Sequence, residues 1–303
     1  MEETWGLEEI AGKEKFIIVD SSCHSLQSGR NFLWESYDVK DYVSLNNELV
    51  RDSICELTNF VDFLEQGNVF TLPCVVEELG SYEKGVAVKI KDLNSKSYVV
   101  PKFTRKRRFH NLKDKGSEAR ESLEELQELS WNMVQLASRK SVDIFDERYE
   151  TLLDLVKRIS VVADLKKIGD KYDKVTRSQL NPYGSDTDER LTSAVLYYAF
   201  FSDKFPTLVT KDTDFVSLLG CVSGILGGNE FLPYNQEFRD KFESGNPFNL
   251  YVSRNGKFNV ALRDKKGEFY ARVGFSEKSS SQDKADLKKS LKEYWKGNPL
   301  AKV

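Results

Sequence analysis

The sequence predicts an α/β fold built on a parallel sheet, and three segments carry that expectation. Phe16-Ile17-Ile18-Val19 is a short apolar, β-branched run that stops abruptly at Asp20-Ser21-Ser22. A parallel strand buried on both faces ends in this way at its carboxyl end. Thr207-Leu208-Val209-Thr210 repeats the pattern before Lys211-Asp212-Thr213-Asp214-Phe215. Asn68-Val69-Phe70-Thr71-Leu72 reads as a further strand, followed by Pro73 in the first turn of a helix.

In open α/β sheets the functional crevice lies outside the carboxyl ends of the strands. Asp20, Asp212 and Asp214 therefore emerge on that edge, and Glu77 and Glu78 fall in the first turns of the helix that Pro73 opens. Asp186-Thr187-Asp188 precedes Leu191, Ala194, Val195 and Tyr198, an i, i+3, i+4, i+7 apolar stripe that sets Asp188 near a helix N-terminus. Each acid has an ordinary explanation: an aspartate caps a helix start, and a Glu pair suits a solvated helix face. Asp20 and Asp212 resist it more, because a carboxylate directly after an apolar strand must be solvated, paired or metal-bound.

The runs Ile18-Val19-Asp20-Ser21-Ser22, Val75-Val76-Glu77-Glu78-Leu79, Asp188 to Ala194 and Leu208 to Phe215 together resemble the PIN domain family of metal-dependent ribonucleases. The resemblance covers 15–84 and 185–220. It implies a central parallel sheet flanked by helices, with Asp20, Glu78, Asp188 and Asp212 as the four acids that hold metal and Asp214 as an additional catalytic acid. Glu78 rather than Glu77 is matched because the family's acid directly precedes an apolar residue such as Leu79. Ser22 stands where many members carry Asn, and Thr210 matches a hydroxyl residue that supports the acidic pocket. The implied activity is hydrolysis of RNA phosphodiester bonds in RNA processing or decay, leaving a 5′-phosphate and a 3′-hydroxyl.

Grouped carboxylates repel one another at low dielectric unless a cation neutralises them, and oxygen-only ligation suits Mg²⁺ or Mn²⁺. His24 and His110 have no partner at metal-ligand spacing, and Cys23, Cys55, Cys74 and Cys221 form no C-x-x-C pair, which argues against structural zinc. A haloacid-dehalogenase-type phosphatase needs a second Asp two residues after its nucleophile, where this chain has Ser22. Neither a Gly-rich dinucleotide turn nor a phosphate-binding loop with Gly-Lys-Ser/Thr follows the first strand. Two alternatives stay open beside the ribonuclease: a catalytically inactive PIN-like scaffold that binds RNA or protein, and a nuclease for structured DNA.

A net charge of −3 leaves nucleic-acid affinity to local patches. Lys102, Arg105, Lys106, Arg107 and Arg108 form one, interleaved with Phe103 and Phe109. It suits an arm that grips RNA phosphates and stacks on bases, although charge runs of this kind are often simply solvated.

At 303 residues, 40% of them hydrophobic, more than one domain is expected. The predicted organisation is a PIN-like nuclease domain over 1–84 and 140–232, an insertion over 85–139, and a C-terminal module over 233–303. The insertion is read as a hairpin, Val86 to Ile90 turning through Asn94-Ser95 to Tyr98-Val100, then the basic arm and a helix over 114–139. A second helix is expected over Tyr149–Leu165. Leu45 to Leu64 reads as an ordinary core helix or helix pair, and the glycines between Gly220 and Gly228 as a connector.

In the C-terminal module, Arg254-Asn255-Gly256 is a type I′ turn signal between Asn249–Val252 and Lys257–Leu262. A third strand, Glu268–Val273, and a Lys-rich helix, Asp283–Trp295, would complete a small α+β appendage. It suits RNA binding or a packing, dimerisation or protein-partner surface equally well. A homodimer is admitted because many PIN domains pair across a two-fold axis. No apolar run reaches the ~20 residues of a membrane span, and the acidic start and unpatterned cysteines are expected of a cytoplasmic protein.

Overall fold

Ile17, Ile18 and Val19 are all buried, and as strand β1 (Ile17–Val19) they form the heart of a mostly parallel sheet. Burial of each such side chain contributes about 1.5–3 kcal/mol. In the computed structural model of the protein, the described residues are 5–25, 32–42, 44–95, 106–162, 186–212, 215, 218, 219, 222, 240, 247–254 and 257–262. Among them β1 pairs in parallel with β2 (Val69–Phe70) on one side and β3 (Thr207–Thr210) on the other. β3 pairs in parallel with β4 (Asn249–Arg254), and β4 pairs antiparallel with β5 (Lys257–Leu262), giving the order β2-β1-β3-β4-β5. The fold is therefore mixed α/β, with helices flanking the sheet.

The helices are α1 (Leu7–Lys13), the short α2 (Phe32–Glu35), α3 (Asn47–Glu65), α4 (Pro73–Ser95), α5 (Lys106–Arg139), α6 (Glu147–Val162) and α7 (Thr187–Phe201). Asn46 caps α3 by accepting the Glu48 backbone N–H at 3.1 Å. Its buried stripe of Leu49, Val50, Leu57, Phe60, Val61 and Leu64 makes Leu45 to Leu64 essentially one helix. α5 packs on both α3 and α4, and α6 packs on α7.

Two expectations are corrected here. The hairpin foreseen from Val86 is helix: α4 runs unbroken to Ser95, with Leu79, Tyr82, Val86, Ile90 and Leu93 buried at helical spacing. Val88, which strand alternation would have buried, is 65% exposed. Tyr98–Val100 lies outside the described residues, and the boundary drawn at 84/85 falls inside α4.

The C-terminal hairpin likewise departs from expectation, belonging to the central sheet rather than to a separate appendage. Leu250, Tyr251 and Val252 are buried in succession, the signature of a strand covered on both faces. Arg254 pairs with Lys257, while Asn255-Gly256, where the turn is expected, lies outside the described residues. Glu268–Val273, Asp283–Trp295 and the glycine connector are outside the described residues apart from Val222. At the opposite end of the strands from Asp20, the buried Glu14 carboxylate accepts from Thr207, Asn249 and Tyr251, tying the entry to β1 to β3 and β4.

Candidate functional site at the carboxyl edge of the sheet

Because β1, β2 and β3 run in parallel, the segments leaving their carboxyl ends collect at one edge. Asp20 comes directly after β1, α4 with Glu78 after β2, and Lys211-Asp212 after β3. α7 leads back to the start of β3, so its first residue, Thr187, also reaches this edge and donates its hydroxyl to Glu78 Oε1 at 2.6 Å.

Asp20 is almost fully buried and its backbone N–H continues the ladder to Val209. Two hydroxyls converge on its Oδ2: Ser22 at 2.5 Å and Thr210 at 2.7 Å. Each hydroxyl in turn accepts a backbone N–H from the turn after β3, Ser22 from Lys211 at 3.0 Å and Thr210 from Asp212 at 2.9 Å. Those incoming donors leave each hydroxyl proton free to point at the carboxylate, so the two turns are cross-linked through Asp20. Burial pushes the Asp20 carboxyl above the ordinary carboxylate range. The Ser22 and Thr210 hydroxyls pull it back, and the charges of Glu78 and Asp212 push it further up.

Glu78 is joined to Asp20 by Ser21, whose hydroxyl donates to Glu78 Oε2 at 2.5 Å and lies 3.4 Å from Asp20 Oδ1. With Thr187 on the other oxygen, both Glu78 oxygens carry a hydroxyl donor. Glu77, the neighbouring alternative, is exposed. Asp188 follows Thr187 in the first turn of α7 and is half-buried, as is Asp212. Asp186, before α7, forms ion pairs with Arg190 and Lys157, both at 2.6 Å; burial pushes its carboxyl up, but the hydrogen bonds and charges of these two partners together leave it below the ordinary range.

The structure thus brings Asp20, Glu78, Ser22, Thr210 and Asp212 into one neighbourhood, with Asp188 one residue from a Glu78 partner. Asp214, Lys102 and Arg105 lie outside the described residues. Lys106, Arg107 and Arg108 begin α5, with side chains outside the description. Among the described residues no three His, Cys, Asp or Glu side chains stand together in an arrangement that could hold a metal ion. The oxygen-only donors suit a hard divalent ion, and hydroxyls of Ser21, Ser22, Thr187 and Thr210 donate to Asp20 and Glu78.

Sequence reasoning missed Ser21, Thr187 and His24. The first two were signalled by their positions directly beside Asp20 and Asp188. His24, which has no metal-ligand partner at ligand spacing in the sequence, makes a local contact instead: its Nδ1 lies 2.6 Å from the Ser21 carbonyl oxygen.

Also among the described residues, no helix is long and apolar enough to cross a membrane. No family model, curated protein or solved structure matches this chain.

Proposed function

We propose that the protein is a metal-dependent ribonuclease that hydrolyses RNA phosphodiester bonds at the carboxyl edge of its sheet, with Mg²⁺ or Mn²⁺ held by Asp20 and Glu78 and completed by Asp188 and Asp212. One observation carries the reading: two carboxylates on separate elements share the Ser21 hydroxyl, and burial, with the charges of Glu78 and Asp212 adding to it, raises the proton affinity of Asp20. Negative charge concentrated against burial in this way suits a cation site. When bound, the ion supplies Lewis-acid activation of water and charge compensation at the phosphate. The chain's own part is to hold the carboxylates: Ser22 and Thr210 orient Asp20, while Ser21 and Thr187 orient Glu78. A role in RNA processing or decay, with the basic run from Lys102 to Arg108 on the phosphates, belongs to the same proposal.

A second reading is favoured by one specific observation. Hydroxyls donate to Asp20 Oδ2 and to both Glu78 oxygens, as suits a noncatalytic scaffold that binds RNA or protein.

Labelled single-stranded RNA incubated with the protein and with its Asp20→Asn form, in Mn²⁺, in Mg²⁺ and with chelator, separates the two. Cleavage that requires both the ion and Asp20 supports the nuclease. Intact RNA in every lane, with RNA bound, would favour the scaffold.

A further inference from the structure

The turn that carries the site hydroxyls has its own anchor. Ser21 to His24 form a single 3₁₀ turn, and His24 at its end reaches back to the carbonyl oxygen of Ser21 at its start, Nδ1 to O 2.6 Å. A carbonyl can only accept, so Nδ1 carries the proton and Nε2 the lone pair. The imidazole packs against Tyr82 of α4, ring centroids 4.4 Å apart at 53°. Although His24 as a residue is half-buried, its Nε2 is shielded from solvent and has no hydrogen-bond partner among the described residues. Packing alone would be better served by an apolar ring, since a shielded unpaired nitrogen destabilises the fold. The imidazole is therefore explained by what Nδ1 does.

The geometry connects that bond to the site. Tyr82 and Glu78 lie one helical turn apart on α4, so they share a face. The tilted ring contact places the end of the Ser21–His24 turn on this face, and the Nδ1–H bond ties that end to the Ser21 carbonyl. Ser21 Oγ ends 2.5 Å from Glu78 Oε2 and 3.4 Å from Asp20 Oδ1.

We propose that His24 is a positioning residue of the candidate metal site, which aims the Ser21 hydroxyl between Asp20 and Glu78 by holding the Ser21 carbonyl against α4. The inference rests on the metal-dependent reading above. His24 touches neither the ion nor the substrate and acts only through Ser21.

The test is Mn²⁺ binding by isothermal titration calorimetry, with thermal unfolding measured in parallel. His24→Phe keeps the ring on Tyr82 and discards the donor, so it keeps its melting temperature and loses affinity about 10- to 100-fold, as changes to outer partners of metal ligands do. His24→Asn, whose amide N–H stands near the position of Nδ1–H, restores most of the affinity, whereas the longer His24→Gln does not. In a Ser21→Ala background His24→Phe has no further effect, because the hydroxyl it positions is gone.

Affinity of His24→Phe equal to the wild type, or a loss that adds to that of Ser21→Ala, overturns the inference and leaves the metal reading intact. Absence of Mn²⁺ binding by the wild type overturns both. If His24→Phe does not fold, the Asn and Gln forms decide, and equal affinities for the two overturn the positioning role.

Discussion

Tyr251 donates its hydroxyl to Glu14 at 2.7 Å across 237 positions of the chain. The same buried carboxylate accepts from Thr207 at 2.9 Å and from Asn249 at 3.1 Å, so one side chain satisfies donors on two strands. Glu14→Ala leaves all three donors unpaired inside the fold and is expected to cost about 3 kcal/mol or more, and Tyr251→Phe about 2 kcal/mol. Urea unfolding midpoints check both. A midpoint unchanged in Glu14→Ala would show that β4 is held by its ladder alone.

Asp20→Asn is expected to abolish cleavage while leaving the metal-free protein as stable as the wild type or more so. The pH dependence follows from the direction of the Asp20 shift. Its folded carboxyl binds a proton more tightly than in the unfolded chain, so its contribution to stability is fully present below the unfolded value of 3.8 and is lost as pH rises through the raised folded value. With chelator present, the melting-temperature advantage of Asp20→Asn over the wild type should be small near pH 3.5 and widen towards neutrality. An advantage constant across that range would sink the electrostatic account of Asp20.

Thr187→Val removes the hydroxyl on Glu78 Oε1 while keeping a β-branched side chain at a buried position. Metal-dependent cleavage is expected to fall about tenfold or more, with a stability loss of about 1 kcal/mol. Rate measurements at saturating Mn²⁺ make the comparison, and an undiminished rate would remove Thr187 from the site.

Lys89 on α4 reaches across to the chain after α2, donating to the carbonyl oxygens of Ser36, Tyr37 and Val39. Lys89→Met keeps the aliphatic stem and discards the donors, at an expected cost of about 1–2 kcal/mol. Hydrogen exchange should quicken at Val39, whose amide bonds to the Ser36 carbonyl. Unaltered protection there would show that α2 is held by packing, with Phe32 buried and Leu33 against Gly85, where an added Cβ would sit 2.5 Å from Leu33 Cδ1.

The elements legible in the sequence were those whose burial leaves a local mark. Phe16 to Val19 and Thr207 to Thr210 are apolar on both faces and end in polar turns, so strand and strand end could both be read. Val86, Val88 and Ile90 fit period two as well as helix, and only Leu79, Tyr82 and Leu93 on either side decide for α4. The β4–β5 pairing was visible from the Asn255-Gly256 turn signal. The parallel docking of β4 on β3 was not, because no local pattern records a partner some 40 residues away. In the site, the acids stood out as charges beside apolar strands. The hydroxyls of Ser21 and Thr187 did not, since serine and threonine beside a helix start more often serve as caps.

The strand order also bears on how the chain reaches its native state. β1 lies between β2 and β3, and the Thr210–Asp20 bond on its β3 side spans 190 positions. A nascent chain leaving the ribosome therefore carries an apolar strand with one open edge until residues past 207 have emerged, and β3 then waits for 249. Open apolar edges recruit other chains. Truncations between these points should be aggregation-prone, and expression at low temperature or with a holdase chaperone should improve the soluble yield of the full sequence.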